Sequence, residues 1–157
     1  MEEIDDATFV ILGGTGDLAR KKLFPSLVNL YRKGKLSRFD VIGTSRHDLT
    51  REEYIRHVGT HFEDHESWGE FEENIHFARL DFYNSEDYEV LQDRLSSCSD
   101  QRLFYLATLP QHFDVITDNL AARDLVNETS KVLYEKPFGD DLQSAKELNQ
   151  SISELFP

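Results

Sequence analysis

An apolar run, Thr8-Phe9-Val10-Ile11-Leu12, stops at Gly13-Gly14-Thr15-Gly16, and a helical spacing of Leu18, Leu23, Leu27, Leu30 and Tyr31 takes over at once. A strand without polar alternation is buried on both faces, which is the situation of a parallel sheet covered by helices. Parallel neighbours cannot be joined by a hairpin, so each strand has to be followed by a crossover, usually a helix. This one junction therefore points to an α/β chain. Gly34 stands where a helix C-terminal cap belongs. Pro25 lies inside the helical pattern, removes a backbone donor and crowds the preceding turn, so a break is expected near Phe24 and a helix in two parts.

The alternation continues. Phe39-Asp40-Val41-Ile42-Gly43-Thr44 reads as a second strand, and Thr50-Arg51-Glu52-Glu53 is a capping box that starts a helix running towards His65. Residues 75–80 form a third strand, and Ser85 starts a helix that carries Tyr88, Leu91 and Leu95. Leu103-Phe104-Tyr105-Leu106-Ala107 is a fourth strand, with a helix after Pro110. Val132-Leu133-Tyr134 is a fifth, and Leu142, Ala145, Leu148, Ile152 and Leu155 line a last helix. The polar stretch 61–73 has no clear period. This order predicts a doubly wound (Rossmann) parallel sheet with helices on both faces and a ligand site beyond the carboxyl ends of the strands.

At 157 residues the chain suits one domain spanning 1–157, and no repeat or linker composition divides it. Its 30 acidic against 17 basic side chains give a net charge of −13, which repels nucleic acid and anionic membrane surfaces, so neither is expected as a partner. Against that background Arg20-Lys21-Lys22 is a local exception that suits an anionic ligand. The lone Cys98 has no internal disulfide partner and fits a reducing compartment. Met1-Glu2-Glu3 opens no targeting segment and no apolar stretch spans a bilayer, so we expect a soluble, cytoplasmic protein.

Gly13-Gly14-Thr15-Gly16-Asp17-Leu18-Ala19 occupies the strand-to-helix turn, where a dinucleotide pyrophosphate rests against helix amides. Gly13 permits the tight turn, Gly16 a close approach to the pyrophosphate, and Ala19 close packing of helix on sheet, while Thr15 adds a hydroxyl donor. An NAD-selective site places a carboxylate at the end of the second strand to bind the ribose hydroxyls. Here that strand ends Gly43-Thr44-Ser45-Arg46, with no acid and a guanidinium suited to a 2′-phosphate. NADP is the expected cofactor.

The glycine loop with Arg20-Lys21-Lys22-Leu23-Phe24-Pro25, then Arg46, then Leu103-Phe104-Tyr105-Leu106-Ala107, then Glu135-Lys136-Pro137-Phe138-Gly139, resembles the glucose-6-phosphate dehydrogenase family over nearly the whole chain. The resemblance implies NADP-dependent oxidation of glucose 6-phosphate to 6-phosphogluconolactone in the oxidative branch of the pentose phosphate pathway. It implies that Thr15 and Arg46 hold the 2′-phosphate, with Gly13, Gly14, Gly16, Asp17 and Leu18 in the cofactor loop and Asp81 near the adenine side. Lys22 would face the sugar phosphate. Lys136 would lie between nicotinamide and sugar, touching both and orienting the substrate hydroxyl, and Pro137 would follow a cis bond. Thr108-Leu109-Pro110 replaces the Leu-Pro-Pro of many relatives and Phe113 a tyrosine of some, which affects local loop shape. The family's Arg-Ile-Asp-His-Tyr-Leu-Gly-Lys-Glu signature and its general base lie beyond Pro157, so this chain alone is expected to bind cofactor and turn over little. The parent would be a homodimer or homotetramer assembled through a second domain.

None of His47, His57, His61, His65, His76 and His112 has a carboxylate-paired context by sequence, and each reads as a surface residue. His57, His61 and His65 fall at helical spacing, which suits a solvated face better than a metal, and no metal is expected. Two other readings stand beside the main one. A single-domain epimerase or reductase would need a Tyr-x-x-x-Lys pair after the fourth strand, which is not present there. A non-catalytic NADP(H)-binding redox sensor would use the same glycine loop.

Overall fold

The computed structural model describes residues 4–17, 19–60, 68–99, 101–126, 128 and 130–134. Five strands, β1 (Ile4–Leu12), β2 (Leu36–Ser45), β3 (Ile75–Arg79), β4 (Arg102–Leu106) and β5 (Lys131–Tyr134), form one sheet in the order β3-β2-β1-β4-β5. Every neighbouring pair is parallel. The expected doubly wound sheet is present, and the direction of winding changes between β1 and β4.

Helices α1 (Phe24–Arg32), α2 (Arg51–Val58) and the short α3 (Trp68–Phe71) pack on one face, and α4 (Tyr88–Leu95) and α5 (Phe113–Ala122) on the other. The alternation of side chains along β1 makes this possible: Phe9 and Ile11 enter the first core, Val10 and Leu12 the second, and all four are buried. The continuous apolar run thus reflects a strand covered on both sides.

The first helix has the two parts that Pro25 requires. A wide, π-type turn over Ala19–Leu23 leads into α1, in which Pro25 occupies the first turn. A first-turn N–H has no intrahelical partner, so its absence costs little there. The wide turn takes up the misfit while Phe24, Leu27 and Val28 stay buried. Gly34 ends the unit at φ +72°, donating to Tyr31 O at 3.1 Å, as its expected capping role demands.

Several boundaries differ from the sequence reading. β1 and β2 begin earlier, at Ile4 and Leu36, because their polar starts pair with each other: Asp5 lies opposite Ser37, and its carboxylate accepts from Ser37 and from two nitrogens of Arg38. The register skips Asp6 and Arg38, both at positive φ. The helix after the Thr50–Glu53 capping box, whose two reciprocal bonds both form, stops at Val58 with Gly59 as its cap. The expected continuation towards His65, which would complete the row of His57, His61 and His65, falls on residues 61–67, which lie outside the described residues. Trp68 sits over Gly59, where any side chain would collide with its ring. The polar stretch 61–73 also conceals α3, which buries Trp68 and Phe71. Ser85 opens a 3₁₀ turn before α4, capped one residue earlier by Asn84. Residues 135–157, with the expected last helix, lie outside the described residues.

Candidate functional site

At the point where the winding reverses, β1 hands over to the glycine loop. Gly13 has φ +87°, and a Cβ there would sit 2.6 Å from Ala107 O, at the end of β4. Gly14 donates to Thr44 O at 2.7 Å, and a Cβ there would meet the Tyr54 hydroxyl at 2.7 Å. The loop is therefore held backbone against backbone between β2 and β4. Gly16 is different: its missing Cβ would meet protein only at 3.6 Å, an ordinary contact, and the residue is exposed. Among the described residues no atom requires a glycine at position 16, whereas a ligand approaching the loop closely would.

Two side chains of α2 grip this loop. The Tyr54 hydroxyl donates to Gly14 O at 3.0 Å, and burial keeps that hydroxyl protonated by raising its pKa far above the usual phenol value. The ring fits because Gly43, beneath it in β2, has no side chain. His57 Nε2 meets Thr15 O at 2.8 Å, and since a carbonyl only accepts, this nitrogen carries the proton. Thr15 is also tied through its hydroxyl, which donates to Ser45 Oγ at 3.2 Å, and Ser45 Oγ accepts from His47 N at 3.1 Å. The chain of contacts joins α2, the loop and the end of β2.

Beyond the strand ends lies a cleft of about 330 Å³. Gly13, Thr15 and Gly16 form its floor, Ser45, Arg46 and His47 one wall, and Leu80 to Tyr83 with Ala107, Thr108 and His112 the rest. Arg46 is exposed and makes no hydrogen bond or ion pair among the described residues. Asp81 is organised by its own loop, with Oδ1 accepting from Tyr83 N at 2.9 Å and its N–H donating to Asp87 at 3.0 Å. The Tyr83 hydroxyl lies 2.8 Å from His112 Nδ1, and the two rings meet edge to face at 5.6 Å. A second hollow, on the α2 side of Thr15, is lined by His47, Leu49, Glu53, Arg56, His57 and Thr60. Though larger, it shares only Thr15 and His47 with the cleft, and of the two it is the cleft that Gly13 and Gly16 line.

The structure thus brings Gly13, Thr15, Gly16, Arg46 and Asp81 to one cleft, with Gly14 beneath its floor. Of the basic cluster, Arg20 and Lys21 are turned to Asp17, at 3.0 and 3.7 Å, and Lys22 is exposed on the wide turn. The cluster is thus partly neutralised from within. Leu18 and Lys136 lie outside the described residues, as does Pro137.

The reading of the histidines needs correction. His76 does have a carboxylate partner, Asp40, at 2.9 Å, and His57, His76 and His112 are half-buried with bonding partners. These contacts bridge strands or loops 29 to 42 residues apart, which no local spacing reveals. The sequence reading also missed Tyr54 and Ser45. Gly43 inside an otherwise β-rich strand was the available signal for Tyr54, since a strand glycine marks a close approach.

Fold, loop and cleft define a Rossmann-type α/β domain with its ligand site at the switch point. A family model described as glucose-6-phosphate dehydrogenase, NAD binding domain, matches residues 10–157. The chain belongs to the glucose-6-phosphate dehydrogenase family and carries its N-terminal nucleotide-binding domain. It is 36% identical to a glucose-6-phosphate 1-dehydrogenase of Mycolicibacterium smegmatis, over 98% of this chain and 34% of that protein. The Rhizobium meliloti enzyme of the same name is 32% identical over 98% of this chain and 33% of its own length. The chain spans about a third of the length of these curated relatives. Among solved structures, a Mycobacterium avium glucose-6-phosphate 1-dehydrogenase superposes with a TM-score of 0.82 at 31% identity, over 97% of this chain and 34% of that one. A glucose-6-phosphate dehydrogenase in complex with glucose 6-phosphate gives 0.78 at 30%, over 99% and 35%. Among the described residues no helix is long and apolar enough to cross a membrane.

Proposed function

We propose that residues 1–157 form the NADP-binding domain of a cytoplasmic dehydrogenase that oxidises glucose 6-phosphate to 6-phosphogluconolactone, the entry step of the pentose phosphate pathway. The observation that carries the cofactor reading is Arg46: an exposed guanidinium, without a partner among the described residues, on the wall of the cleft at the end of a strand that lacks the carboxylate of NAD-selective sites. The loop fits a dinucleotide as well, because the open space at Gly16 is not required by protein packing.

In this reading Arg46 and the Thr15 hydroxyl hold the 2′-phosphate. The hydroxyl can rotate from Ser45 to do so. Gly13, Gly14, Gly16, Asp17 and Leu18 carry the pyrophosphate loop, with Asp17 fixing Arg20 and Lys21 beside it. Asp81 borders the adenine side. Lys22 faces the sugar phosphate, and Lys136 orients the substrate hydroxyl, its fixed positive charge tolerating the charge changes of the reaction. Bound NADP supplies the hydride acceptor. The general base and further phosphate ligands belong to the two thirds of the relatives' length that this chain does not span, as does the dimer or tetramer contact. This chain alone would bind cofactor and turn over little.

The activity of the relatives and the glucose 6-phosphate complex of a similar structure support the substrate. The test is NADP reduction, followed by absorbance, by the protein extended to the relatives' length. NADPH formation that needs glucose 6-phosphate is expected. A folded, NADPH-binding protein that leaves glucose 6-phosphate untouched would overturn the substrate assignment.

A further inference from the structure

Consecutive carbonyls of the loop, Gly14 O and Thr15 O, are each bound by a side chain one helical turn apart on α2, Tyr54 at 3.0 Å and His57 at 2.8 Å. Residues three apart on a helix share a face, so the pair acts as one surface against the loop. In a trans peptide the carbonyl and the following N–H point in opposite directions. Drawing both carbonyls towards α2 therefore turns the Thr15 and Gly16 N–H groups away from it. Gly16 N–H keeps only a long turn bond of 3.3 Å to Gly13 O, and Thr15 N–H has no partner among the described residues. Tyr54 is fully buried and needs this bond for its hydroxyl, while the bare Gly43 opens the slot for its ring.

We propose that Tyr54 and His57 are positioning residues that clamp the Gly14 and Thr15 peptide planes, so that the loop presents its N–H groups to the dinucleotide before it arrives. Neither residue lines the strand-end cleft or reaches the ligand; both act through the loop. The inference rests on the reading of the cleft as a nucleotide site. Because a pyrophosphate is common to both cofactors, the clamp serves both NADPH and NADH, in contrast to Arg46, while His57, which holds Thr15, also steadies the hydroxyl given above to the 2′-phosphate.

The test uses the full chain with Tyr54→Phe, His57→Leu and His57→Gln, titrated with NADPH and with NADH, and with thermal unfolding in parallel. Tyr54→Phe keeps the buried ring, so loss of fold does not confound it. Each of Tyr54→Phe and His57→Leu should raise both Kd values about three- to tenfold, with the ratio unchanged in Tyr54→Phe. His57→Gln, whose amide can still donate to Thr15 O, should recover most of the loss. Variants that lower the unfolding temperature but leave both Kd values as in the unaltered chain would show a purely structural role and overturn the clamp. A changed NADPH to NADH ratio in Tyr54→Phe would overturn it too. Failure of the unaltered chain to bind either nucleotide would instead refute the site, a separate outcome.

Discussion

Gly43→Ala isolates the contact that holds the site together. A Cβ at position 43 would fall into the Tyr54 ring, which is fully buried and cannot swing to solvent. Forcing extra volume into a packed core costs roughly 1–3 kcal/mol. Displacing the ring also breaks the Tyr54 bond to Gly14 O and leaves buried polar groups unpaired, about 1–2 kcal/mol more. The conformational gain from replacing a strand glycine returns only about 0.5–1 kcal/mol. A net loss of about 1–4.5 kcal/mol follows, or roughly 3–15 °C in Tm for a chain of this length. Urea unfolding followed by circular dichroism measures it. Gly69→Ala is the control, since nothing lies within 4 Å of a Cβ there, and it should stay within about 0.5 kcal/mol. Combining Gly43→Ala with Tyr54→Leu should cost less than the two changes summed, because the smaller side chain relieves the collision. A Gly43→Ala chain as stable as the Gly69→Ala control would refute the packing argument.

Two further outcomes follow from the ends of β2 and α2. The Asp5 carboxyl is lowered to about 2, first by its bond to Arg38 and then by Ser37, so the folded state releases its proton more readily than the unfolded chain. Its stabilising effect is complete above the ordinary value of 3.8 and disappears as pH falls towards 2; Arg38→Ala should raise the Asp5 midpoint, read by NMR titration, towards 3.8, with the Ser37 bond still holding it below that value. Thr50→Ala removes the side-chain half of the α2 cap and should cost about 1 kcal/mol in the same urea assay, with unchanged m value.

Strand interiors were legible because burial on both faces leaves continuous apolar runs, as in Phe9 to Leu12. Their polar starts were not: Ile4 and Asp5 join β1 only through pairing with Leu36 and Ser37, a register that local patterning does not encode. The glycine loop could be read because Gly13 needs a left-handed backbone and no room for a Cβ, constraints that select one residue type. The place of Arg46 on the cleft wall could be read because a strand end in this fold borders the crevice at the switch point. Tyr54, His57 and Ser45 escaped notice because their roles arise across 30 to 42 residues of sequence, where only the packed fold brings partners together. The same holds for His76 and Asp40, on adjacent strands. Helix α3 was hidden in a polar segment too short to show a period.

The central claim is that Arg46 selects a 2′-phosphate at the end of β2. Fluorescence titration of the folded chain with NADPH and NADH, repeated on Arg46→Ala, tests it most directly. A charge-assisted bond to phosphate is worth about 1.5–3 kcal/mol, so the account predicts tighter binding of NADPH and a loss of roughly ten- to a hundredfold in the variant, with NADH unaffected. Equal affinity for the two nucleotides, or an equal loss of both in Arg46→Ala, would contradict it.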